Sequence, residues 1–225
     1  SKGIGWGICK ALLENDCQVL GTYRSQNVET LPRFKNLLWR KLNLNTSDNV
    51  YSFVKEITNE GLVIDALVNN AGISQKKDIL NISDDDWSNI FEVNFFGPIK
   101  LLTELTKLGN LRRAINIISV SAFTGGVQQP HYAAAKAALL NYTKSFANYS
   151  SKHNVIVNAI APGLIKTDML DSLNEYSSYE KLAQNIPNKR IGEPSDIASV
   201  VTYLLLNDPG YLNGQTITVN GGNHV

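Results

Sequence analysis

The chain has 225 residues, enough for one α/β domain that buries a sizeable core. Its 43% hydrophobic and 18% charged residues suit a globular protein, and a net charge of +1 argues against a nucleic-acid surface, which needs a clear basic excess. No apolar run approaches the roughly 20 residues that span a bilayer, no secretory signal is visible, and no cysteine–histidine cluster has zinc spacing, so no membrane span and no metal site are expected.

In chain order, the pattern predicts a first helix from about Gly5 to Asn15 and a short strand from Cys17 to Thr22. Cys9 and Cys17 are the only cysteines; in helical geometry they lie roughly 12 Å apart, too far to bridge. Two partly buried thiols in a reducing cytoplasm are expected. A strand at Trp39 to Leu42 and an amphipathic helix at Val50 to Asn59 follow. The strand at Asp65 to Val68 runs into a polar, small-residue turn, Asn69-Asn70-Ala71-Gly72. Asp84-Asp85-Asp86 suits the positive end of the next helix dipole, and the EF-hand spacing that would suggest calcium is absent. Asn94 falls in a helical stretch, Glu92 to Gly97. Further strands are predicted at Ala114 to Ile118, at Val155 to Ala159 before Pro162-Gly163, and at Gln215 to Val219. Met169 to Lys189 is the least regular segment, with Ser177, Ser178, Tyr176, Tyr179 and a Pro187 that ends its helical pattern. Both tyrosines there are expected to pack rather than to act. Alternation of this kind implies a parallel sheet with helices on both faces.

Tyr132 and Lys136, in Pro130-His-Tyr-Ala-Ala-Ala-Lys136, lie four residues apart and so on one face of a helix. A free tyrosine has a pKa of about 10, and a nearby ammonium lowers it into a range useful for proton transfer. Tyr51 and Lys55 repeat the spacing, but nothing chemical surrounds them, and they read as helix surface. Ser119 ends the apolar strand before Tyr132, at the carboxyl end where open α/β sheets place ligands. Ser121 is its rival, with a hydroxyl expected to serve the following turn. His131 is expected at the pocket rim or on the surface, and His153 and His224 show no partners.

These pieces, in this order and spacing, resemble the short-chain dehydrogenase/reductase family over nearly the whole chain. Ser1-Lys-Gly-Ile-Gly5 looks like the back half of the family's glycine-rich cofactor loop, and Asn69 to Gly72 like its structural turn. Asn94, Ser119, Tyr132 and Lys136 match its catalytic tetrad, and Pro162-Gly163 with Thr167 its nicotinamide-closing segment. Arg190-Ile-Gly-Glu-Pro194 and the run from Leu212 to Gly222 look like the branch of 3-oxoacyl-acyl-carrier-protein reductases.

The resemblance implies a doubly wound Rossmann-like single domain over residues 1–225, a cytoplasmic homotetramer, and reduction of a carbonyl by NADPH. Ser119 and Tyr132 would hold the substrate oxygen, Lys136 would lower the tyrosine pKa and hold the ribose, and Asn94 would hold a water. The implied dinucleotide cradle is Ser1, Lys2, Gly3, Ile4, Gly5, Asn43, Leu44, Asn70, Ala71, Gly72, Tyr132, Lys136, Ile165 and Thr167. The segment from Met169 to Lys189 would cover the substrate. An NAD-selective site places an acid near the end of the second strand; here Gly21-Thr-Tyr-Arg24-Ser25 has none. Arg24, helped by Lys2, is expected to pair with the 2′-phosphate of NADP; the bland alternative leaves both as surface cations. One departure stands out. The family's loop begins with Thr-Gly after a first strand, and this chain starts after both. That strand belongs between the strands ending near Thr22 and Asn69, so the first strand is expected to be missing through truncation at the amino terminus.

The preferred substrate is a 3-oxoacyl thioester of fatty acid biosynthesis, carried on acyl carrier protein. An acidic carrier calls for basic residues at the mouth, with Lys107, Arg112 and Arg113 as candidates. Two alternatives stay open: a dehydrogenase of a sugar, steroid or other small alcohol, and a non-catalytic dinucleotide-sensing protein on the same fold.

Overall fold

A computed structural model of the chain describes residues 3–173 and 178–224. Strands β1 (Val19–Tyr23), β2 (Leu37–Lys41), β3 (Ala66–Asn69), β4 (Arg113–Ile117), β5 (Ile156–Pro162) and β6 (Thr216–Val219) all pair in parallel. Helices α1 (Gly3–Glu14), α2 (Ser47–Asn59), α3 (Asp84–Phe91), α4 (Gly97–Lys107), α5 (Ser121–Thr124), α6 (Pro130–Ser150), α7 (Asp168–Leu173), α8 (Tyr179–Gln184) and α9 (Pro194–Thr202) connect them. Parallel strands need such crossovers, because a tight turn cannot return the chain to the same end of the sheet.

Local chemistry sets the helix starts. Thr46 caps α2 by accepting from the Asn49 amide, and Val50, Phe53, Val54 and Ile57 then bury one helical face. The three acids before Trp87 do open a helix: Ser83 and Asp86 form a capping box on α3. Neighbours along β4 divide between two cores, as a period of two demands. Ala114 packs with Leu102, Phe53 and Val157 on the side of α2, α4 and α6, while Ile115 and Ile117 meet Ile8, Ile197 and Val201 of α1 and α9. Helices therefore cover both faces, and the sheet is doubly wound.

Two sheets result: β1 with β2, and β3-β4-β5-β6. Between β1 and β3 runs a cleft of about 1540 Å³, lined by Val19 to Tyr23 on one side and Ile64 to Asn69 on the other. The strands on this cleft are less buried than β4 and β5: Thr22 and Ala66 are exposed, whereas Ala114 to Ile117 and Val157 to Pro162 are all buried.

Some expectations need correction. Helix α1 starts at Gly3 rather than Gly5, and Cys17 lies beyond its end; both thiols are free and half-buried. Between α3 and α4 the chain forms a π-helical turn, Glu92–Phe96, that carries Asn94. Hydrophobic spacing gives no sign of one extra residue in a turn. The irregular segment holds two short helices, α7 and α8; Ser178 caps α8, which stops at Gln184, before Pro187. Tyr176 and Ser177 lie outside the described residues. Among these, no helix is long and apolar enough to cross a membrane.

Candidate active site

The site gathers at the carboxyl ends of β3 and β4. Pro130 occupies the first turn of α6, where its missing amide costs nothing, and the helix then places Tyr132 and Lys136 one turn apart. Both are buried, at 7% and 3% exposure. Ser119, just past β4, stands beside Tyr132, where its hydroxyl favours the ionised form of the phenol. Lys136 Nζ donates to the Ile117 carbonyl at 2.9 Å and stands 5.7 Å from the centre of the Tyr132 ring. Burial pushes the Tyr132 hydroxyl up to about 12, against a smaller opposing pull from Ser119. The same burial brings Lys136 down to about 8. Burial therefore outweighs the expected effect of the ammonium on the phenol, since Nζ lies over the ring and against a carbonyl.

Asn94 lies near Lys136, but its side chain is taken up by backbone. Its Nδ2 donates to the carbonyls of Ile73 and Ile90, both at 2.9 Å, and Oδ1 accepts from the Ile73 amide at 3.2 Å. Both donor hydrogens of the amide are thereby used, while Oδ1 keeps a second lone pair. The side chain thus satisfies a carbonyl at the end of α3 and clamps the loop after β3. Gly72 completes the cluster: a Cβ there would stand 2.7 Å from Asn94 Oδ1 and 3.5 Å from Lys136 Nζ.

The predicted cradle residues converge on the same cleft. Gly3, Ile4, Gly5, Arg24, Asn43, Leu44, Asn70, Ala71, Gly72, Ile165 and Thr167 line it together with Ser119, Tyr132 and Lys136. Ser1 and Lys2 lie outside the described residues. Gly3 has φ +65°, a conformation that favours glycine, and a Cβ on Gly5 would meet Asn70 Nδ2 at 2.6 Å. Gly5 lets the amino end of α1 pack tightly against the turn after β3, and Gly3 lets it approach Thr167, where a Cβ would stand 3.1 Å from Thr167 Cγ2. Arg24, just past β1, is exposed and has no partner among the described residues. Asn43 Oδ1 accepts from the Asn45 amide.

Several functional contacts were missed or misplaced. Ser74 hydrogen-bonds Gln129, and the Lys77 amide donates to the Gln128 carbonyl, joining the loop after β3 to the start of α6. Ser121 donates to Ser119 rather than serving the next turn. His131 is fully buried beside Trp87, not at the rim, and neither ring nitrogen has a partner among the described residues; burial pulls its pKa down and keeps it neutral. His153 meets the Tyr149 hydroxyl, and His224 stacks on Phe123. Of the three proposed carrier contacts, Arg112 and Arg113 line the same cleft, but far from the catalytic group, and Lys107 does not line it. Arg113 opens β4 and is tied to Asp208 and the Leu204 carbonyl; six residues of extended chain put it roughly 20 Å from Ser119. Arg112 bonds the carbonyls of Gly109 and Leu111, and Lys107 pairs with Glu104.

The family described as enoyl-(acyl carrier protein) reductase matches residues 1–224. The 3-oxoacyl-acyl-carrier-protein reductase FabG of Vibrio harveyi is 36% identical, covering 99% of this chain and 93% of that protein. The chain belongs to the short-chain dehydrogenase/reductase family. Nodulation protein G of Rhizobium sp. (strain N33) is 39% identical over 80% of this chain and 74% of that protein. Among solved structures, 4-hydroxyisoleucine dehydrogenase complexed with NADH superposes with a TM-score of 0.91 at 27% identity, covering 99% of this chain and 94% of that one. ElxO with NADP bound gives 0.87 at 25% identity, with 99% and 94% covered. Family membership makes the chain an oxidoreductase that uses a nicotinamide dinucleotide.

Proposed function

We propose that this reductase converts the 3-oxo group of an acyl thioester, carried on acyl carrier protein, to a secondary alcohol with NADPH. The observation that carries the reading is the buried pair of Tyr132 and Lys136, one helical turn apart, lining the cleft together with Ser119. NADPH, when bound, supplies the hydride to the carbonyl carbon. The oxygen that gains the electron pair then needs a proton and a hydrogen-bond donor. Tyr132 gives the proton, Ser119 donates the hydrogen bond, and the Lys136 ammonium stabilises the phenolate left behind.

The amino end of α1, with Ser1, Lys2, Gly3, Ile4 and Gly5, would hold the pyrophosphate. Asn70, Ala71 and Gly72 would follow the ribose beside Lys136, Ile165 and Thr167 would meet the nicotinamide, and Asn43 and Leu44 the adenine edge. The similarity to FabG supports a place in fatty acid biosynthesis; a cytoplasmic homotetramer packed through the segments carrying Asn94 and Tyr132 completes the proposal. NADPH oxidation that depends on acetoacetyl-CoA tests the reading; no turnover with that thioester would overturn it. The likeness to 4-hydroxyisoleucine dehydrogenase favours one second reading, oxidation of a small alcohol. Turnover with hydroxy compounds and oxidised dinucleotide, and none with the thioester, would select it.

Arg24 should set the choice of dinucleotide, because it stands beyond β1 on the wall of the cleft with no partner among the described residues. A charge-assisted contact to a 2′-phosphate is worth roughly 1.5–3 kcal/mol, about tenfold or more in discrimination. Comparing kcat/KM for NADPH and NADH should show that preference in the parent and its inversion in Arg24→Asp. Equal efficiencies in the parent would mean that Arg24 points to solvent.

A further inference from the structure

We propose that Ser121 is a positioning residue that makes Ser119 a hydrogen-bond donor, and only a donor, toward the reacting oxygen. The inference rests on the proposed roles of Ser119 and Tyr132. Ser121 approaches Ser119 Oγ twice: its amide donates at 3.1 Å and its hydroxyl at 2.9 Å. A hydroxyl oxygen has two lone pairs and one hydrogen. With both lone pairs engaged by Ser121, the remaining capacity of Ser119 is its own hydrogen. That hydrogen is then left to serve the side of Ser119 on which Tyr132 stands, where a carbonyl oxygen would be seated.

The direction matters for the chemistry. If Ser119 accepted from Tyr132, the tyrosine proton would point at the serine and away from the substrate. As a donor, Ser119 leaves the Tyr132 proton free for transfer and favours the phenolate that follows. It also presents a fixed dipole to the oxygen on which negative charge develops, without reorientation during the reaction. Burial supports this assignment: Ser121 is 8% exposed, so water competes little for its hydroxyl. Its only side-chain hydrogen bond among the described residues goes to Ser119. The four residues of α5 do not need that hydroxyl, because backbone bonds such as Gly125 amide to Ser121 carbonyl, at 2.9 Å, close the turn.

The test measures kcat, KM and pH profiles for acetoacetyl-CoA reduction and for the reverse alcohol oxidation in Ser121→Ala, Ser121→Thr and Ser121→Cys, with Tyr132→Phe alongside. Ser121→Ala should lose about 3–10-fold in kcat, the effect of one neutral hydrogen bond, with little change in KM or NADPH affinity. The alkaline midpoint of its oxidation profile should rise, because Ser119 no longer stabilises the phenolate reliably. Ser121→Thr keeps the hydroxyl and should restore both properties. Ser121→Cys keeps the volume but offers a weak donor, and should behave like Ser121→Ala. Parental kcat and midpoint in Ser121→Ala, or failure of Ser121→Thr to restore them, would overturn the inference. An inactive Tyr132→Phe beside a normal Ser121→Ala would refute the role of Ser121 alone. An active Tyr132→Phe would refute the underlying catalytic reading.

Discussion

Tyr132→Phe should keep the fold and the NADPH affinity yet lose about 10²–10⁴-fold in kcat, the usual contribution of a positioned general acid. The substitution removes one oxygen from a buried ring whose hydroxyl contact is Ser119, so packing by Ile90 and Ala135 is retained. Stopped assays with acetoacetyl-CoA, beside a thermal melt, read the two properties separately. Near-parental turnover would remove Tyr132 from the mechanism. Tyr51→Phe is the natural control: it has the same spacing to a lysine but is half exposed on α2, and should change little. The pH dependence follows from burial. With its hydroxyl pushed up to about 12, Tyr132 stays protonated through neutral pH, so reduction should show no tyrosine limb there. Alcohol oxidation needs the phenolate and should climb as pH rises.

Much of this arrangement was legible in the sequence because its signals are local. Parallel strands covered on both faces are apolar throughout, so Ala114 to Ile118 and Val155 to Ala159 stood out without alternation. Tyr132 and Lys136 needed only helical periodicity to share a face. What stayed hidden depends on which layer packs against which residue. His131 does face away from Tyr132, as successive helix residues must, but α3 covers that direction and buries it. Arg113 reads as a surface cation, yet its partner Asp208 comes from the far end of the chain and is itself buried. Spacing ranked Ser119 above Ser121 but gave no sign of the bonds between them, because the turn that joins them sets that contact. The extra residue in the turn around Asn94 leaves no periodic trace, and its stabilisation comes from that residue's own side chain.

Lys136→Met should make the protein more heat-stable while lowering turnover by at least about 10²-fold, the low end for a disrupted proton-transfer system. The lysine is fully buried, and its ammonium has one hydrogen bond, to the Ile117 carbonyl, among the described residues. Burial brings its pKa from 10.5 to about 8. At about 1.36 kcal/mol per unit, keeping the charge inside at neutral pH costs roughly 3 kcal/mol. Methionine matches the length and removes the charge, but it leaves the Ile117 carbonyl without a donor, a penalty of about 1–3 kcal/mol. The net gain is about 0.5–2 kcal/mol, or a rise in Tm of about 1–8 °C at pH 7 for a domain of this size. The sign with pH separates this account from simple better packing. Between pH 8 and 10.5 the unfolded lysine holds a proton that the folded one has lost, so parental stability rises with pH across that window. The advantage of Lys136→Met should shrink over the same window and be gone above it. Melts of both proteins at pH 7 and pH 10.5 decide the matter: an unchanged or lower Tm at pH 7 would mean that the ammonium is stabilised inside the fold. A buried cation kept despite its cost fits a group retained for what it does to Tyr132.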